Sequence, residues 1–180
     1  DETDSDTAIL FGDGAGAALL GEVPEGYGLL GCDLGSDGAG FDVIKVPAGG
    51  SRLPPSAETV ANRLHYTTMN GSQVFVFAMR VLGNSVERSI AAAGLETGSI
   101  DLLIPHQANR RIIEAAARRS NLPMDKIMVN IDRYGNTSAA SIPIALSEAA
   151  ASGRIKRGDS VALVGFGAGL AWASCVLKWY

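Results

Sequence analysis

The stretch Ile100-Asp101-Leu102-Leu103-Ile104-Pro105-His106-Gln107-Ala108-Asn109 decides the reading of this chain. Ile100 to Ile104 is a short apolar run of strand length. The polar cluster His106-Gln107-Ala108-Asn109 ends it, and Asn109 opens a helix to about Ser120, rich in Ala and Arg. A strand that gives way to a helix through polar residues is where α/β folds place their sites. The pattern recurs downstream. Lys126 to Ile131 predicts a strand, and Ser138 to Ser152 predicts a helix with Pro143 tolerated in its early turns and Gly153 at its end. Asp159 to Val164 and Ala171 to Trp179 predict the last two strands, split by a glycine-rich turn. Upstream, Val74, Phe77, Ala78, Val81, Leu82, Val86 and Ile90 recur at helical spacing, so 71–93 predicts a long helix stopped by Gly94. Strands alternate with helices from residue 71 onward, which argues an α/β layer fold with a mixed sheet.

The first 65 residues read differently. Thr7 to Phe11 predicts a buried strand, Gly12 to Gly16 a turn, and Ala17 to Leu20 a return strand. Gly28 to Leu34 and Phe41 to Val46 predict two more strands around the turn Ser36-Asp37-Gly38. Residues 47–57 predict a loop, and 57–64 a short helix. Gly12-Asp13-Gly14-Ala15-Gly16-Ala17 matches a loose dinucleotide-binding pattern, but no helix follows to point its N-terminus at a pyrophosphate. Gly165-Phe166-Gly167-Ala168-Gly169 fails the same test. Its glycines instead let a backbone amide approach a reacting atom closely.

A length of 180 residues fits one domain or half of a two-domain protein. A hydrophobic share of 47% against 19% charged predicts a soluble globular protein with heavily buried elements. No apolar run is long enough to span a bilayer. The chain opens on acidic and polar residues rather than on a signal peptide. It lacks an initiator Met, so Asp1 is not expected to be the native start. Cys32 and Cys175, far apart in apolar surroundings, read as core residues of a protein from a reducing compartment. With two His and no close Cys/His spacing, no metal site is expected. The net charge of −4 hides a split. Residues 1–105 hold 5 Lys/Arg against 14 Asp/Glu, a balance of −9, and residues 106–157 hold 9 against 4, a balance of +5. The excess clusters at Arg110, Arg111, Arg118 and Arg119, and at Arg154, Lys156 and Arg157. Any one of these is a solvated helix charge, but together they suggest a specific acidic partner rather than nucleic acid.

A second polar segment, Tyr134-Gly135-Asn136-Thr137-Ser138-Ala139-Ala140-Ser141, sits at a strand-to-helix junction like the first. Taken singly, His106 is a core histidine and Asn136 a turn or cap residue. Taken with the third glycine-rich turn at 165–169, they suggest chemistry. A neutral His and an Asn held this way can bind one carbonyl oxygen and stabilise the negative charge that builds on it. That is chemistry for making an enolate. The nucleophile such a pair needs is missing, so the chain reads as half of an enzyme.

Pro105 to Asn109, Arg133 to Ser141, Gly165 to Gly169 and Phe11 to Ala17 together closely resemble the C-terminal half of β-ketoacyl-acyl carrier protein synthase III, in order over essentially the whole chain. The resemblance implies the thiolase-like fold, two similar α/β halves in layers. This chain would be the C-terminal half, with a mixed five-stranded sheet flanked by helices. It implies a decarboxylative condensation of an acyl-coenzyme A primer with malonyl-acyl carrier protein, at the start of type II fatty-acid synthesis. The coenzyme A thioester is substrate, and no cofactor is implied. His106 and Asn136 would be two members of a Cys-His-Asn triad, and the Ala168 backbone N–H an oxyanion donor. Gln107, Asn109, Arg110 and Arg111 would dock the carrier protein, and Met69 and Phe166 would border the acyl pocket. A cytoplasmic homodimer is implied, with no membrane or nucleic-acid partner.

Two departures stand out. The family's nucleophilic Cys lies in the N-terminal half, absent here, and neither Cys32 nor Cys175 matches it. Ser5, just after Asp4, replaces an Arg that packs on the adenine of coenzyme A. Two alternatives follow: a Cys-His-Asn condensing enzyme of polyketide or quinolone type, or a non-catalytic synthase-like partner subunit.

Overall fold

A computed structural model describes residues 1–180. The regular elements, in chain order, are α1 (Ser5–Ala8), β1 (Gly28–Ser36), β2 (Ile44–Lys45), α2 (Ala57–Ala61), β3 (Thr68–Met69), α3 (Gly71–Ala92), β4 (Leu102–Pro105), α4 (Arg110–Arg119), α5 (Ile131–Tyr134), α6 (Ser141–Ala151), β5 (Ser160–Gly167) and β6 (Ala171–Lys178). The main sheet has strand order β1-β6-β5-β4, with β4 and β5 parallel and the other pairs antiparallel. A two-stranded ribbon, β2 with β3, stands apart.

The sheet carries two helices on one face and one on the other. Leu82, Val86 and Ile90 of α3, with Ile113 and Ala117 of α4, pack on Leu103, Ala162, Val164 and Val176. On the other face Ala145 and Ala149 of α6 pack on Leu102, Ile104 and Val161. The parallel pair β4 and β5 is therefore covered on both sides, as parallel strands require. At the β1 edge the α6 face is open, and Leu34 is 76% exposed there. Cys32 lies on this open face and is exposed, directly opposite Cys175 across the β1–β6 ladder. It is therefore not the core residue its apolar neighbours suggested. Cys175 is half-buried, and burial pushes its thiol pKa up.

Four further expectations are corrected. The sheet has four strands, not five. Lys126 to Ile131 forms a helical turn at Met124–Lys126, one parallel bridge between Ile127 and Leu103, and then α5. Thr7 to Leu20 forms no hairpin. Ser5–Ala8 is helical, and Phe11 makes a single bridge to Asn136. Of Phe41 to Val46, only Ile44 and Lys45 pair as strand. No helix is long and apolar enough to cross a membrane.

Candidate active site

His106 follows β4 directly. Its backbone N–H donates to the Val164 carbonyl at 2.7 Å, which extends the β4–β5 ladder by one residue and fixes where the side chain leaves the sheet. The ring packs edge-on against Phe166 of β5, with centroids 5.6 Å apart. Its Nδ1 lies 2.5 Å from the Ser141 hydroxyl at the start of α6. Burial pushes the imidazole pKa down to about 4, so the ring is neutral at ordinary pH.

Gln107 explains why the chain turns here. Its side-chain NH₂ donates to the carbonyls of Pro105 (2.8 Å) and Met128 (3.2 Å), and its Oε1 accepts from the backbone N–H groups of Asn130 (3.0 Å) and Ile131 (3.2 Å). It is 1% exposed. The amide thus ties the end of β4 to the segment that leads to Asn136, and it has no surface to offer a carrier protein. The docking role expected for Gln107 is corrected on that ground. Asn109 is the N-cap of α4, its Oδ1 accepting from the Arg111 N–H at 2.8 Å.

Asn136 is held from three sides. Its backbone pairs with the N-terminal segment: its N–H donates to the Leu10 carbonyl at 3.0 Å, and its carbonyl accepts from the Gly12 N–H at 2.9 Å. Gly12 is obligatory there, since a Cβ would lie 2.0 Å from the Tyr134 carbonyl oxygen. Glu148 of α6 anchors the preceding turn by accepting from Asn130, Arg133 and Tyr134 at 2.8, 2.7 and 2.5 Å. The Asn136 Oδ1 accepts from the Ser138 N–H at 2.9 Å. With the oxygen so engaged, the NH₂ is left as the donor.

Both residues line one cavity of about 1050 Å³. Met69, Phe166 and Ala168 share the lining with Ile9, Phe11, Val74, Phe75, Ile112 and Ile142. Its ionisable lining groups are Asp6, Lys45 and the neutral His106. Asn109 reaches the lining, whereas Arg110 and Arg111 stay outside on exposed helix surface. Arg110 pairs with Glu114 at 3.0 Å, and the Arg111 guanidinium sits 5.3 Å from the ring centroid of Phe75. Ser5 is exposed and off the lining, although its neighbour Asp6 is on it. No cluster of His, Cys, Asp and Glu side chains is arranged to hold a metal ion. An apolar cavity with a few neutral donors at one end suits a thioester with an acyl chain.

Sequence reading missed Ser141. Its signal was a polar side chain at the start of a helix, five residues after Asn136, where a serine otherwise passes for a cap.

The family model for the C-terminal domain of 3-oxoacyl-[acyl-carrier-protein] synthase III matches residues 90–179, and a further model for 3-oxoacyl-[acyl-carrier-protein] synthase III matches residues 1–38. A β-ketoacyl-[acyl-carrier-protein] synthase III from Desulfitobacterium hafniense (strain Y51) is 56% identical over 98% of this chain and 53% of its own length. One from Clostridioides difficile (strain 630) is 57% identical over the same shares. The crystal structure of the β-ketoacyl-[acyl carrier protein] synthase III from Thermus thermophilus superposes with a TM-score of 0.89 at 50% identity, over 98% of this chain and 54% of that one. The chain spans about half the length of the curated relatives it matches. Its layered mixed sheet is that of the thiolase-like fold those structures share. The chain belongs to the 3-oxoacyl-[acyl-carrier-protein] synthase III family.

Proposed function

We propose that this chain is the carbonyl-activating half of an acyltransferase that condenses an acyl-coenzyme A primer with malonyl-acyl carrier protein. The observation that carries the reading is the convergence of His106 and Asn136 on one largely apolar cavity, with Asn136 turned to present its NH₂. In the reaction, a Cys from the upstream half holds the primer as a thioester. His106 and Asn136 bind the malonyl thioester oxygen by Nε2–H and Nδ2–H. Carbon dioxide leaves, the electron pair moves onto that oxygen, and the resulting carbanion attacks the acyl-Cys carbonyl. The Ala168 N–H receives the oxyanion formed there, and the Cys thiolate departs. Met69 and Phe166 border the acyl chain. Asn109 marks the cavity side of the docking face, and Arg110 and Arg111 present its charge to the acidic carrier protein. The coenzyme A thioester is substrate, and the scheme uses neither a metal nor a resident cofactor. The working enzyme is a cytoplasmic homodimer of full-length chains.

With the upstream half present, His106→Ala or Asn136→Ala should lower malonyl decarboxylation by roughly 10²-fold, the effect of losing one oxyanion donor. Acyl transfer to the upstream Cys should survive better. The 180-residue chain alone should make no ketoacyl product. Product from the chain alone, a stable acyl adduct on Cys32 or Cys175, or decarboxylation that ignores both substitutions would overturn the reading.

A further inference from the structure

His106 points at the cavity with a ring that has two nitrogens and, being neutral, one proton. A carbonyl oxygen can be held only by the nitrogen that carries that proton. If Nδ1 carried it, the cavity would meet a bare lone pair at Nε2, and two lone pairs would face each other. What sits behind the ring therefore decides whether the site can work.

Ser141 sits behind it. This residue is 2% exposed, and its Oγ lies 2.5 Å from His106 Nδ1. The hydroxyl has one proton and two acceptors in reach: Nδ1, and the Ser138 carbonyl at 2.9 Å. The Ser138 carbonyl already accepts from the Ser141 backbone N–H, so it is not orphaned when the hydroxyl points elsewhere. Oγ itself accepts from the Gln107 N–H at 3.4 Å, which leaves its proton free to donate. On the ring side, this hydroxyl is the hydrogen-bonding group found at Nδ1. The backbone around it is fixed by the Gln107 amide and by the His106–Val164 bond.

We propose that Ser141 is a positioning residue, whose hydroxyl donates to His106 Nδ1 and so keeps the ring proton on Nε2, facing the cavity. The inference rests on the proposed role of His106 as a carbonyl donor. It adds that this role is set from behind, by a side chain that touches no substrate.

The test separates the two claims. Nitrogen-15 NMR of the enzyme with both halves, His106 identified by loss of its signals in His106→Ala, reports which ring nitrogen carries the proton. In the native protein Nδ1 should read as a hydrogen-bonded acceptor and Nε2 as protonated. Ser141→Ala should remove the hydrogen-bond shift at Nδ1 and leave the signals of His65 unchanged, a check that the fold is intact. The same variant should lower kcat for malonyl decarboxylation by at least roughly tenfold, as a mis-set histidine does elsewhere, with KM within about twofold. Ser141→Thr, which keeps the hydroxyl, should recover most of the loss. A proton found on Nδ1 in the native enzyme, or Nδ1 signals unmoved in Ser141→Ala, overturns the proposal whatever the rates. The inferred spectra with decarboxylation unchanged in both Ser141→Ala and His106→Ala would leave the Ser141 assignment standing and overturn the role given to His106.

Discussion

At ordinary pH His106 carries no charge, because burial pushes its pKa down from 6.5 to about 4. The unfolded chain takes up a proton near pH 6.5, and the folded chain does so only near pH 4. Between these values the unfolded state binds more protons, so acid favours unfolding. Stability should therefore fall as pH drops from about 6.5 to about 4, by up to about 3 kcal/mol from this one group. His106→Gln should flatten that part of the curve in urea titrations taken at successive pH values. An unchanged slope would mean that the ring is hydrated. At this scale the sequence showed which residue types mattered but not where their side chains point. Gln107 stands beside His106 and the family resemblance makes it a docking residue, yet its four hydrogen bonds run inward. Ser141 falls inside the helix expected from Ser138, and it stands behind the imidazole. Adjacency in sequence fixes neither the face nor the rotamer.

Between elements, β1 passes close against the C-terminal end of α3. A Cβ on Gly31 would lie 2.4 Å from the Ala93 nitrogen and 2.7 Å from the Ala92 carbonyl carbon and the Ser89 carbonyl oxygen. These are backbone atoms at a helix end and cannot swing aside. Gly31→Ala should cost about 2 kcal/mol, as overpacking does, and lower the urea midpoint. Gly38→Ala, with nothing within 4 Å of its added methyl, is the control and should move it little. Elements with their own periodicity and caps were legible: α3 spans Gly71–Ala92 against 71–93 expected, and α4 begins just after its Asn109 cap. Those that needed a neighbour were not. Lys126 to Ile131 is apolar enough for a strand, but the pairing with β4 stops at one bridge, Ile127 to Leu103, because the Gln107 amide takes the Asn130 and Ile131 N–H groups and turns the backbone into α5. Apolarity announces burial, and pairing decides what is buried as strand.

Across the whole molecule, charge is divided by sequence region. The basic stretch 106–157 includes α4, whose N-terminal end lies at the cavity and whose Arg111 stacks on the lining residue Phe75. Arg111→Glu should weaken binding of an acidic carrier protein mainly through its association rate, with the difference shrinking as salt rises. Transfer from small thioesters should change little. Carrier binding that ignores both the substitution and ionic strength would remove the docking role from α4. The layered class of the molecule was legible because helix and strand alternate from residue 71, whereas the strand count was not. The segment from Thr7 to Leu20 has a strand's composition and turn glycines, yet it pairs only where Phe11 meets Asn136, and Leu19 is 99% exposed and Leu20 93%. Unpaired backbone flanked by bare leucines is a template for the same segment of another copy in concentrated solution. Leu19→Lys or Leu20→Lys should therefore lengthen the shelf life of the purified chain, read as the protein left in solution over time.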